Sequence, residues 1–432
     1  MKHTEIENVQ FRVGKWLPSD QVLLEKWLER LVEEVHHHAK PLHPVIEAFK
    51  ELIEHDAEIF MLFNQMFEQV PAKYTMSPMG KPQVRDYHHM LQMINAIMTK
   101  APEFNSSGLV GLPINAILDW SMGTTGGFAA FLNQKVNVQL KRILNEWGVF
   151  LKSRKSCDVL SDKGWLGEEG LKALAAMDPY LKEGSKDPRQ NFMDNFKCDP
   201  DAPYWGFTSW DDFFTREFKE GKRPVASPED DSVIVNACES APYRVATRVH
   251  RRAKFWIKAQ PYSLEHMLAN DELVEKFVGG TVYQAFLSAK SYHRWHAPVN
   301  GTIVKAYVQE GTYYSETLSE AYDPSGNKES QGYITEVATR ALIFIEADNA
   351  DIGLMCVMPV GMAEVSSCDI TVYEGQRVKK GDQLGLFHFG GSTHCLFFGP
   401  QVKLDFDLHG QTPGLNSRNI PINGKIATVK QI

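Results

Sequence analysis

The run Glu374-Gly375-Gln376-Arg377-Val378-Lys379-Lys380-Gly381-Asp382-Gln383-Leu384-Gly385, with Phe387-His388-Phe389-Gly390-Gly391-Ser392-Thr393 just beyond it, reads as short strands separated by glycine turns. An earlier segment has the same layout: Ala297-Pro298-Val299-Asn300-Gly301-Thr302-Ile303-Val304, then Glu310-Gly311. Around both, β-branched runs alternate with turn signals: Val233-Ile234-Val235, Ala341 to Ile345, Gly353 to Val357 and Ile370-Thr371-Val372. Such spacing predicts a mainly β region from about Asp231 onward.

Upstream the period changes. From Val45 to Phe67 apolar residues recur every three or four positions (Val45, Phe49, Leu52, Ile53, Phe60, Phe63, Met66, Phe67), the face of a helix. Val84 to Met98 and Val136 to Leu151 behave alike, with Leu140, Ile143, Leu144 and Trp147 on one stripe. Pro71, Pro78, Pro102 and the glycines at 123–127 punctuate them. The fold class is therefore α+β: a helical N-terminal domain over residues 20–185, a hinge-like stretch Glu220-Gly221-Lys222-Arg223-Pro224, and a β domain within 203–432. The two turn-strand segments resemble the half-motifs of lipoyl and biotinyl hammerhead barrels. A β-sandwich with two similar turns is the other reading.

The chain has 432 residues, 43% hydrophobic, with 46 Lys and Arg against 54 Asp and Glu, a formal charge of −8. That balance offers no basic field for nucleic acid. No apolar run is long enough to span a membrane, and the N-terminus lacks the apolar core of a signal peptide. Six scattered cysteines, none in a CxxC pair, argue against a zinc ribbon and for a reducing compartment, the cytoplasm.

Three blocks carry the chemistry: Ser209-Trp210-Asp211-Asp212-Phe213-Phe214-Thr215-Arg216, Tyr292-His293-Arg294-Trp295-His296-Ala297-Pro298-Val299-Asn300-Gly301, and Gly391-Ser392-Thr393. In this order they resemble the phosphatidylserine decarboxylase family, over about residues 203 to 432. The N-terminal region, with Gly164-Trp165-Leu166, Ala202-Pro203-Tyr204 and Phe344-Ile345-Glu346-Ala347-Asp348-Asn349, resembles a soluble fungal branch of that family whose activity is decarboxylation of tryptophan.

The resemblance implies self-cleavage between Gly391 and Ser392 into chains 1–391 and 392–432, which stay associated, with Ser392 becoming a pyruvoyl group. The chemistry explains the residue types. Decarboxylating an α-amino acid leaves electrons at Cα that need a sink, and a ketone joined to the substrate amine supplies one without pyridoxal phosphate. Serine can make that ketone because its β-oxygen serves as nucleophile and then as leaving group. Gly390 and Gly391 free the backbone for the approach. By resemblance His296 is the base for the cut, an acidic residue orients it, and His293 serves decarboxylation. The acidic position falls at Glu239, where the lipid enzymes carry Asp followed by Gly.

His394 and Cys395, just after the cut, are candidates for lining the substrate pocket, with strand packing the alternative. The run His36, His37 and His38 suits solvent or capping roles rather than a metal, because neighbours on a helix diverge. Asp211, Asp212 and Arg216 read as a charged packing anchor. Three other functions compete. Phosphatidylserine could be the substrate, with an amphipathic helix among residues 20 to 150 on the membrane. A lipoyl or biotinyl carrier would need a D-K-A or M-K-M triplet, and neither occurs. A pyridoxal-phosphate enzyme would need an H-K pair and a parallel α/β pattern.

Overall fold

The computed structural model describes residues 21–430 except 39, 74–83, 106–107, 110–111, 182–186, 258, 319–329 and 365–366. Seven helices come first among the described residues: α1 (Gln21–His37), α2 (Pro44–His55), α3 (Ala57–Lys73), α4 (Tyr87–Ile97), α5 (Pro113–Met122), α6 (Thr125–Leu132) and α7 (Gln134–Leu151). The expected stripe from Val45 to Phe67 is broken at Asp56, whose carboxylate accepts the Glu58 and Ile59 amides at 3.2 Å and starts a new helix. The register slips there, so Ile46, Phe49, Ile53, Ile59, Phe63 and Met66 are buried while Phe60 is 42% exposed. Of the glycines at 123–127, Gly123 ends α5 as its C-cap, while Gly126 and Gly127 lie inside α6. Gly126 lies in the first turn of α6 because a Cβ there would meet the Met66 nitrogen at 2.7 Å, so glycine lets α6 lie against α3. Three shorter helices follow: α8 (Glu168–Ala175), α9 (Pro188–Asn195) and α10 (Trp210–Phe214).

The strands are β1 (Val233–Val235), β2 (Ala241–Thr247), β3 (Thr281–Leu287), β4 (Arg294–His296), β5 (Gly301–Gln309), β6 (Arg340–Ala347), β7 (Leu354–Met362), β8 (Cys368–Ile370), β9 (Arg377–Val378), β10 (Gln383–Phe387), β11 (Gly391–Phe398), β12 (Leu404–Phe406) and β13 (Lys425–Val429). Among the described residues the main sheet runs β9-β5-β6-β7-β11-β3-β2, all antiparallel, beside the smaller sheets β8-β10-β4 and β12-β13-β1.

The two turn-strand segments do meet. Ile303 donates to the Gln376 carbonyl and receives Gly375, and Ala297 exchanges bonds with Gly381 and Asp382, all at 2.7–2.9 Å. They do not close a barrel, because β10 pairs with β4 and β8 while β5 stays with β6 and β9.

One hydrophobic cluster joins the helices to one face of the main sheet, taking in Trp147, Phe131, Cys395 and Phe397. A second fills the opposite face with Trp295, Ile343, Leu396 and Phe398. Each large side chain so buried contributes roughly 1.5–3 kcal/mol. The supposed hinge is tied down: Arg223 is 8% exposed, bonded to Asp178 and Glu239.

Candidate active site

β11 begins at the expected cut. Gly390 has φ 141°, a conformation that suits glycine, and delivers Gly391 into the strand. Ser392 pairs with Leu287 on β3 and with Gly361 on β7, so its backbone is held from both sides. Its side chain is fully buried, and the hydroxyl has no hydrogen-bond partner among the described residues.

Alternation along β11 sorts its side chains. Thr393, Cys395 and Phe397 face the helices; Ser392, His394, Leu396 and Phe398 face the second core. His394 therefore shares a face with Ser392, and Cys395 does not. The His394 ring is fully buried with neither nitrogen hydrogen-bonded among the described residues, and burial pulls its pKa down to about 3. A narrow cleft opens near this end of β3, between Phe286, Ser288, Gln331 and the loop at 414–419; neither His394 nor Cys395 reaches its wall.

His293 is carried to the head of β11. Its carbonyl accepts the Phe387 amide at 3.0 Å, and its ring stacks on Phe214 at 4.1 Å. Phe214 in turn meets Phe389, three residues before Ser392. Both ring nitrogens are buried and unbonded among the described residues. Burial, with the nearby Arg216 guanidinium, holds the His293 pKa well below its usual value, so the imidazole is neutral at pH 7.

His296 lies farther back, opposite Gln383 on β10. Its Nε2 is 3.2 Å from the Tyr292 hydroxyl, and Nδ1 has no hydrogen bond among the described residues, although Asn423 and the Gly381 backbone are near the ring. Burial is the main cause that lowers its pKa to about 4. Among the described residues His296 has no hydrogen bond to Glu239. That carboxylate accepts Arg223 Nε at 2.6 Å and Nη2 at 2.8 Å, a two-point fork that occupies both oxygens. The Tyr292 hydroxyl is the side-chain group within hydrogen-bond distance of His296 among the described residues.

The first block does more than pack. Asp211 receives His388 Nδ1 at 2.9 Å, fastening α10 to the segment before the cut. Arg216 is buried, with its guanidinium 4.6 Å from the Phe196 ring, and donates to the Lys290 and Ser291 carbonyls at 2.7 and 3.3 Å, immediately before Tyr292 and His293. The motif was the available signal for both contacts, but their partners are distant in sequence. Among the described residues no group of three His, Cys, Asp or Glu side chains is arranged to hold a metal.

Two sequence-family models, each described as phosphatidylserine decarboxylase, match residues 43–174 and 210–412. The decarboxylase iboD of Amanita muscaria is 44% identical over 68% of this chain and 86% of its own length. An L-tryptophan decarboxylase of Psilocybe cubensis is 38% identical over 89% of this chain and 86% of its own. Phosphatidylserine decarboxylase proenzyme 3 of Schizosaccharomyces pombe is 32% identical over 51% of this chain and 22% of its own. On the three blocks gathered at the head of β11 and on these matches, the chain belongs to the phosphatidylserine decarboxylase family and is a carboxy-lyase.

Proposed function

We propose that the chain cuts itself between Gly391 and Ser392 and then, as a pyruvoyl-dependent enzyme, decarboxylates a free aromatic amino acid, L-tryptophan first among them. The observation that carries this is the buried, unbonded Ser392 hydroxyl behind two glycines, at the head of a strand clamped on both sides. The substrate follows the Psilocybe relative, which matches the helical region as well as the sheets.

Ser392 Oγ adds to the Gly391 carbonyl carbon, and the amide C–N bond gives way to an ester. Loss of the Ser392 Cα proton then breaks the Cβ–O bond and frees Gly391 as a carboxylate. The dehydroalanine left behind takes up water and releases ammonia, leaving a ketone at 392. That ketone supplies the sink for electrons left when carbon dioxide departs. His293, neutral and buried against Phe214 at the end of the segment that leads into β11, returns a proton to the substrate carbon. His296, also neutral with Nδ1 unbonded, receives the Ser392 hydroxyl proton, the role implied by the family blocks. Glu239 acts one step away, fixing Arg223 under the 420–424 turn through the Ile422 amide and the Arg223 carbonyl bond to Asn423.

After the cut the two chains stay joined, because β11 lies between β7 and β3 and β13 pairs with β1. Six unbridged thiols suit a reducing cytoplasm. No described helix is long and apolar enough to cross a membrane.

Intact mass spectrometry of the purified protein tests the cut: two chains are expected, the smaller beginning at 392 with its ammonia lost. Carbon dioxide release from tryptophan and from phosphatidylserine vesicles tests the substrate. Release from the lipid alone overturns the amino-acid reading, and full activity in an uncut chain overturns the mechanism.

A further inference from the structure

The cleft beside β3 has walls from both products of the cut. Phe286, Ser288 and Gln331 belong to residues 1–391, and Leu415, Ser417 and Asn419 to residues 392–432. It lies on the Thr393 face of the main sheet. Phe286 and Ser288 alternate with Gln284, whose amide donates to Thr393 Oγ1 at 3.1 Å and to Gln331 Oε1 at 3.2 Å. Gln331 of the cleft wall also reaches Met362 Sδ at 3.8 Å, and Met362 is the residue that pairs with Gly391 across β7 and β11. The loop is pinned on both sides of its tip. Gly414 donates to the Pro242 carbonyl at 3.0 Å, and Asn419 Nδ2 reaches Ser291 Oγ and the Met177 carbonyl at 3.1 Å. Between the pins, Leu415 stands 38% exposed at the mouth. Among the described residues no charged side chain lines the cleft.

We infer that this cleft is the substrate's side-chain pocket, that it takes an uncharged ring, and that Leu415 of the small chain is its gate. This rests on the decarboxylase reading proposed above. Tyr243 and Phe286 offer ring contacts to a flat side chain. A carboxylate, an ammonium or a phosphodiester headgroup would be desolvated there with no counter-charge. In the uncut chain the enclosed space is about 20 Å³, room for one water, within an empty volume of about 380 Å³ that includes the mouth. A ring therefore enters only when Leu415 swings aside, and selectivity is set by a loop that the cut assigns to the smaller chain.

The test compares the full-length wild type with Leu415→Trp, Leu415→Ala and Ser417→Asp. The extent of cutting is read by intact mass, and kcat/KM by carbon dioxide release from tryptophan, phenylalanine and leucine. Leu415→Trp is expected to lower the tryptophan-to-leucine ratio of kcat/KM about tenfold or more, and Leu415→Ala to raise it. Ser417→Asp is expected to depress all three. Leu415 is exposed, so its variants leave the core intact. Variants that cut as the wild type does and keep its ratios overturn the pocket while leaving the decarboxylase reading in place. A wild type that cuts but releases carbon dioxide from no free amino acid overturns that reading and the pocket with it.

Discussion

The two faces of β11 treat polar groups in opposite ways. Thr393 looks toward the helices, and its hydroxyl is fully used: it donates to the Ala285 carbonyl at 2.9 Å and accepts Gln284 at 3.1 Å. Gln284 is itself held by the Tyr262 hydroxyl and by Gln331. One residue earlier, Ser392 looks the other way with no partner, and His394 and Tyr283 on that face are likewise buried and unbonded among the described residues. Leaving a buried polar group unpaired costs about 1–3 kcal/mol. Adjacent positions on one strand thus separate a bonded hydroxyl from the unbonded one proposed to react, and the distinction lies in the partners rather than in residue type.

The largest effect is expected at the unbonded hydroxyl. Ser392→Ala should remain one piece on a denaturing gel and release no carbon dioxide, whereas Thr393→Val should still be cut. A Ser392→Ala protein that splits in two moves the cut elsewhere and dissolves the contrast between the faces.

Next come the histidines, which ask how far the reactive face extends. His293→Gln is expected to be cut and to lose turnover by about 10²-fold or more. His296→Gln should slow the cut itself, read as the time course of the small chain appearing. Normal cutting in His296→Gln with failure in His293→Gln would give the cut to His293. Both imidazoles have depressed pKa values, His296 to about 4. The rate of cutting should therefore hold level as pH falls from 8 to about 5 and drop only toward 4; a midpoint near 6.5, the unperturbed value, would mean that the ring is in water. The same depression bears on stability. The unfolded chain takes up protons on these rings below about 6.5 and the folded chain does not, so stability falls as pH falls from there toward 4.

Thr393→Val should cost less, about 1–2 kcal/mol of stability, from the bonds to Ala285 and Gln284. A midpoint of denaturation unchanged from wild type would show that the two faces do not differ in the way described.

Much of this was readable from the sequence. Strand positions such as Val233–Val235 follow from β-branched runs between turns, and the α7 stripe through Leu140, Ile143, Leu144 and Trp147 is buried as its period requires. Ser392, His293 and His296 are motif residues with chemically distinctive side chains. The rest depended on contacts between distant segments. Nothing near Glu239 says that Arg223 takes its carboxylate, and nothing near Asp211 says that His388 lies 177 residues away at 2.9 Å. The break at Asp56 leaves little trace in the pattern, because apolar residues continue on both sides of the cap and only the exposure of Phe60 betrays the shifted register. His394 and Cys395 were grouped as neighbours, but on a strand neighbours point to opposite faces.

The smallest expected effect concerns a carboxylate that combines both behaviours. Glu364 follows the end of β7, where Met362 pairs with Gly391. One oxygen accepts the Ile114 and Asn115 amides at 2.9 Å, capping α5, while the other is buried and unbonded among the described residues. Burial raises its pKa to about 8. With the folded value above the unfolded one, the folded chain binds the extra proton between about 4.5 and 8, so the contribution to stability is full at low pH and is lost as pH rises through 8. Glu364→Gln keeps the capping oxygen and cannot ionise. It should be cut at the wild-type rate, match the wild-type melting temperature near pH 5 and exceed it by a few degrees near pH 9. A variant that instead fails to cut would place Glu364 with Ser392 among the reactive groups, and the unbonded oxygen would then mark chemistry rather than an unfinished cap.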